Sequence, residues 1–187
     1  MNKHRCPWAK SSLDIEYHDN EWGRETHDDK MLFEYLVLEG MQAGLSWSLI
    51  LKKRENFKRA FDNFDYNICA NYTDEYLESL RENDGIIRNK LKIYSVRKNA
   101  LAFIKVQKEF GSFDKYIWSF TNYKKINNKL TSYKDAPSES ELSIKISKDL
   151  KKRGFSFVGG TIIYSYLQAI GMINDHEKGC FCYEECC

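Results

Sequence analysis

Only 10 glycines and 2 prolines punctuate 187 residues, about half the usual share of chain breakers. Long stretches therefore run uninterrupted, and within them apolar residues return at the three- and four-residue spacing of an α-helix. An all-α chain is the expectation. At this length roughly 70% of the unfolded surface becomes buried, and neither an internal repeat nor a biased linker divides the chain. One globular unit over residues 1–187 is expected.

Met31-Leu32-Phe33-Glu34-Tyr35-Leu36-Val37-Leu38 reads as a buried helix, with Thr26 and Asp29 in capping-box relation ahead of it. A second helix starts at Ser46, since Trp47, Ile50, Leu51, Phe57 and Phe61 recur near helical turns while Lys52, Lys53, Glu55 and Lys58 point elsewhere. Thr73 caps a short helix with Tyr76, Leu77 and Leu80, which stops at Asn83-Asp84-Gly85. A long helix resumes with Leu91, Ile93, Tyr94, Val96, Leu101 and Ile104. Pro137 and Ser138 open a charged helix ending at Lys151-Lys152-Arg153-Gly154, and Thr161 to Gly171 forms a last buried one.

The excess of 29 Lys and Arg over 27 Asp and Glu is only +2, which permits a nucleic-acid partner without requiring one. No stretch reaches the roughly eighteen apolar residues of a membrane helix, so no membrane partner is expected. Met1-Asn2-Lys3-His4-Arg5-Cys6 lacks the apolar segment of a secretory signal, which makes a reducing cytoplasm the expected location. Four of the six cysteines fall in the last eight residues, unlike a disulfide scaffold. Some therefore read as metal ligands. Cys6 and His18, with His176 and Cys180, supply two thiolates and two imidazoles, a set suited to one structural zinc ion that ties segments 1–23 and 174–187 to the body. Cys182 is a rival ligand, and Cys186 and Cys187 read as exposed thiols.

Tyr17 and Trp22 stand among five polar or charged neighbours between Glu16 and Gly23, poor composition for a core. Glu39 closes an apolar helix at its carboxyl end, where the helix dipole disfavours a carboxylate by up to about 1 kcal/mol. It is either an exposed residue on a frayed turn or a carboxylate accepting hydrogen bonds in a pocket. Trp47 follows the flexible run Gly40-Met41-Gln42-Ala43-Gly44-Leu45-Ser46, and by periodicity alone belongs to the core. Together, aromatic faces and an acceptor carboxylate are what sandwiches a nucleobase and reads its amino edge.

Residues at about 74–104 resemble the helix-hairpin-helix module, whose turn offers N–H groups to a DNA phosphate. Gly85, Ile87 and Arg88 are the candidate DNA contacts, with Lys90 and Lys92 as nearby charge; Ile87 replaces the second hairpin glycine.

Three strings, Tyr17-His18-Asp19-Asn20-Glu21-Trp22-Gly23, Leu38-Glu39-Gly40-Met41-Gln42-Ala43-Gly44-Leu45-Ser46-Trp47 and Leu51-Lys52-Lys53-Arg54-Glu55-Asn56, resemble the bacterial DNA-3-methyladenine glycosylase I family. Gly85-Ile86-Ile87-Arg88, Lys151-Lys152-Arg153-Gly154-Phe155, Phe157-Val158-Gly159 and Asn174-Asp175-His176 extend the likeness over nearly the whole chain. The resemblance implies a helix-hairpin-helix glycosylase fold and a monomer acting on double-stranded DNA that contains alkylated adenine. It also implies hydrolytic release of 3-methyladenine that leaves an abasic site. Cys6, His18, His176 and Cys180 fall at its zinc ligands and Glu39 at its base-recognising carboxylate. Tyr17 and Trp47 fall at pocket aromatics, with Trp8 and Trp22 around them. Lyase-type relatives use a hairpin lysine and a later aspartate, whose places fall near Asn89 and near Lys108 or Glu109, so no lyase activity is expected; Asp114 is a less favoured electrostatic helper. Pro7, Gly160 and the Cys186-Cys187 ending depart from the pattern. The rival reading is a non-enzymatic, zinc-stabilised DNA-binding module whose aromatic cluster is core.

Overall fold

The structure, a computed structural model, describes residues 3–187; Met1 and Asn2, the start of the segment expected to be tethered, lie outside them. Helix α1 (Ser12–Asn20) opens at Ser11, whose hydroxyl accepts from the Asp14 N–H while the Asp14 carboxylate accepts from the Ser11 N–H. Helix α2 (Asp29–Gln42) is the axle: every residue from Leu32 to Met41 is buried. A helix without a solvated face must be enclosed. Helices α3 (Trp47–Ala60), α6 (Lys90–Phe110), α7 (Phe113–Ser119) and α9 (Gly160–Ala169) enclose it. Between them run α4 (Tyr66–Cys69), α5 (Asp74–Ser79) and α8 (Glu141–Lys152), and α10 (Cys182–Glu185) lies near the carboxyl end.

Two expected helix starts move. Asp28, not Thr26, caps α2 by accepting from the Met31 N–H at 2.9 Å. Asp29 turns instead to the far side, where its carboxylate accepts from the N–H groups of Phe113 and Asp114 and so caps α7. Helix α8 begins after Ser140, whose hydroxyl accepts from the Ser143 N–H, rather than at Pro137. Helices α3 and α5 start where expected, at Ser46 and Thr73. The all-helical expectation lacked one feature: β1 (Ile126–Asn127) and β2 (Ile173–Asn174) pair in parallel, Ile126 opposite Ile173.

Helices α5 and α6 flank the turn at Asn83–Gly85, and α3 braces it: Lys53 Nζ donates to the Asp84 carbonyl at 2.8 Å and Asn56 Nδ2 to the Gly85 carbonyl at 3.0 Å. Two residues assigned to the apolar face of α6 are exposed, Leu91 at 71% and Leu101 at 47%. Lys92, read as charge beside the hairpin, is buried.

The stretch after α1 meets the stretch after α9. Gly171 has φ +75°, and a Cβ there would collide with the Arg24 carbonyl carbon. Only glycine permits that approach. It brings the Gly23 N–H to the Gln168 carbonyl at 3.1 Å and the Thr26 N–H to the Ile170 carbonyl at 3.0 Å. Among the described residues no helix is long and apolar enough to cross a membrane.

Candidate active site

Helices α1, α2, α3 and α9 border a cavity of about 140 Å³, comparable to one that admits a single aromatic ring when fully enclosed. Trp8, Tyr17, Trp22, Glu39 and Trp47, all five residues singled out from the sequence, line it. Gln42, Tyr133, Ser165 and Gln168 complete the wall. The rings form two pairs, Tyr17 with Trp47 at 5.1 Å between centroids and Trp8 with Trp22 at 5.0 Å. Trp47, core by periodicity, is only half-buried because its ring borders this opening.

Among the described residues, four buried side-chain polar atoms lack a hydrogen-bond partner: Trp8 Nε1, Tyr17 OH, Glu39 Oε2 and Trp47 Nε1. All four belong to this one wall. Each such atom costs roughly 1–3 kcal/mol, and a folded interior keeps few of them. Their convergence marks a place built for a polar, ring-shaped occupant rather than a core. Glu39 is 4% exposed, and burial alone pushes its carboxyl up to about 8. Arg54 on α3 is engaged by other carboxylates: it donates to Glu34 at 2.7 Å and to Glu21 at 2.8 Å, and Glu21 also accepts from the Tyr35 hydroxyl at 2.7 Å. Among the described residues no cation pairs with Glu39 in this pocket of aromatic faces, an arrangement that favours a cationic ring.

Cys6, His18, His176 and Cys180 come together as expected, all four buried and their ligand atoms within 4.8 Å of one another. Cys6 Sγ and Cys180 Sγ each lie 3.6 Å from His176 Nδ1, and Cys180 Sγ lies 3.4 Å from His18 Nε2. Sulfur and nitrogen ligands placed tetrahedrally at zinc's bond lengths stand about 3.6 Å apart, so the donor set fits that ion. The outer nitrogens are oriented too, His18 Nδ1 by Asp19 at 2.9 Å and His176 Nε2 by the Trp22 carbonyl at 3.1 Å. Cys182 lies outside the quartet and groups instead with His18 and Asp19. Cys187 is exposed as expected, but Cys186 is buried.

At the hairpin, Arg88 is exposed and Ile87 half-buried, while the Gly85 N–H donates to Asn83 Oδ1 at 2.9 Å. Asn89 caps α6 by accepting from the Lys92 N–H. Lys108 and Glu109 are exposed, and Glu109 accepts from Arg153 at 2.7 Å. Asp114 bonds His27 Nδ1 at 2.7 Å and does not line the cavity.

The cavity has the size, the aromatic faces and the unpartnered polar atoms that suit an aromatic base. The family model for methyladenine glycosylase matches residues 8–183, and the chain belongs to that family. It is 45% identical over 180 residues to DNA-3-methyladenine glycosylase 1 of Escherichia coli, covering 96% of each chain. A crystal structure of 3-methyladenine DNA glycosylase I superimposes with a TM-score of 0.94 at 44% identity, over 96% of this chain and 100% of that one. A structure of the Staphylococcus aureus enzyme that describes its 3-methyladenine recognition superimposes at 0.92 with 33% identity, over 95% of each chain.

Proposed function

We propose that this chain is a DNA-3-methyladenine glycosylase of base-excision repair, and that Glu39 and its aromatic surround form the base pocket. The observation that carries the reading is the convergence of four unpartnered polar atoms on one cavity.

The enzyme works as a monomer on double-stranded DNA. Arg88 and the N–H groups around Ile87 hold a phosphate at the hairpin, and the damaged nucleotide turns out of the stack into the cavity. Weakened pairing lowers the cost of that step for a damaged base. Tyr17 and Trp47 stack on the base. Adenine methylated at N3 carries a positive charge while joined to its sugar, and that charge favours the ionised form of Glu39 on entry. The carboxylate accepts hydrogen bonds from the amino edge, and neutral adenine gains less in the same place.

Cleavage then asks little further of the protein. The bond between sugar and base breaks with its electron pair going to the base, which cancels the positive charge. Water adds to the sugar carbon and releases a proton, leaving an abasic site and free 3-methyladenine. No Schiff base forms: Asn89 stands at the hairpin lysine's place, and the buried Lys92 is not among the cavity residues. Cys6, His18, His176 and Cys180 would hold one structural zinc ion, which would supply a tether between the terminal segments rather than chemistry.

The test is chromatography of bases released from methylated duplex DNA. Free 3-methyladenine is expected in the supernatant, and its absence would overturn the reading.

A further inference from the structure

Lys92 is 6% exposed, and among the described residues no carboxylate pairs with it. Its Nζ donates to two backbone carbonyls, Met41 at 2.8 Å and Ala43 at 2.7 Å. Burial lowers its pKa below the usual lysine value, with no partner to offset it. A buried ammonium without a counter-ion is costly, and the loose carbonyls of a helix end are normally satisfied by water or a glycine turn. The placement of this charge has another use.

Lys92 lies in the first turn of α6, and its own N–H donates to the Asn89 side chain that caps that helix beside the hairpin. Its acceptors lie at the other functional end. Met41 is in the last turn of α2, two residues beyond Glu39, and Ala43 ends that helix ahead of Gly44, whose φ of +76° turns the chain toward Trp47. The ammonium therefore clips the element beside the hairpin to the segment that joins the pocket's carboxylate to its stacking ring.

We propose that Lys92 is a positioning residue that couples the hairpin's hold on DNA to the geometry of the base pocket, by fixing the segment from Glu39 to Trp47. This rests on the glycosylase reading above. A small misplacement of groups around a reacting centre lowers rate steeply while leaving remote binding intact.

The experiment compares wild type, Lys92→Met and Lys92→Arg in three measurements: single-turnover release of 3-methyladenine, affinity for free 3-methyladenine, and affinity for a duplex carrying an abasic analogue. Lys92→Met keeps the stem and removes both bonds. Its release rate is expected to fall by about tenfold or more and its free-base affinity by about threefold, with duplex affinity held within about twofold; Lys92→Arg recovers most of the rate. A wild-type rate in Lys92→Met overturns the proposal. So does a loss that follows duplex affinity alone, which makes Lys92 part of the phosphate grip. Should Lys92→Met lose its helical circular dichroism, Lys92→Gln takes its place under the same criteria. Absence of released base from wild type overturns the glycosylase reading itself, whereas unchanged release in the variants overturns only the coupling.

Discussion

His176 and Trp22 are joined twice: the imidazole Nε2 lies 3.1 Å from the Trp22 carbonyl oxygen, and the two rings meet edge to face at 4.5 Å. The other ring nitrogen faces both cysteines of the quartet. One imidazole therefore belongs to the proposed metal centre and braces a wall of the pocket. Removing the ion, by chelation or by Cys180→Ala, should destabilise the fold by roughly 3 kcal/mol or more and weaken binding of free 3-methyladenine as well. Thermal denaturation and tryptophan quenching measure the two effects. Base affinity that is indifferent to metal content would show that the wall stands without it.

Glu39 should leave a pH signature on stability. Its folded value of about 8 exceeds the ordinary 4.5, so between those limits the native state holds a proton that the unfolded state lacks. Stability from this group is complete below about pH 4.5 and is lost as pH rises toward 8, at up to about 1.4 kcal/mol per pH unit. Glu39→Gln does not titrate. Urea denaturation of both proteins from pH 5 to 8 should show the variant gaining on wild type with rising pH, and parallel curves would contradict the assigned burial.

The Tyr17 hydroxyl is buried without a partner. Tyr17→Phe should therefore leave the free protein as stable as wild type or stabilise it by up to about 1 kcal/mol, while weakening binding of the free base severalfold. Loss of stability together with unchanged base binding would place that hydroxyl outside the pocket's function.

Arg88 is exposed beside the hairpin turn. Arg88→Ala should weaken duplex binding to a similar degree on every sequence and reduce the slope of log affinity against log salt by about 1. A salt slope equal to that of wild type removes Arg88 from the phosphate contacts.

The parts of this molecule legible in its sequence are those set by local chemistry. Ser46 and Thr73 cap helices because nothing nearby competes for those N–H groups. Glu39 stood out as an acid ending an apolar helix, and Cys6, His18, His176 and Cys180 as soft donors near the termini. Long-range packing hid the rest. Asp28, Asp29 and Thr26 are all capable caps, and only the approach of α7 decides which carboxylate leaves for another helix. Ser165 and Gln168 on α9, and Tyr133 in a turn after β1, join the pocket through the crossing of distant segments. Lys92 carries a charge that reads as solvent-exposed beside a basic hairpin, and nothing local reveals the two carbonyls it serves.

The most direct test of the base pocket is titration of the protein with free 3-methyladenine, followed by tryptophan fluorescence, for wild type and Glu39→Gln. The wild type should show saturable quenching, because Trp8, Trp22 and Trp47 wall the cavity, and the variant should bind about tenfold more weakly or worse, because its amide sets an N–H donor against the amino edge that the carboxyl oxygens of Glu39 accept from. Equal affinity in the two proteins, or no quenching in either, would contradict the assignment of this cavity as the site that holds the base.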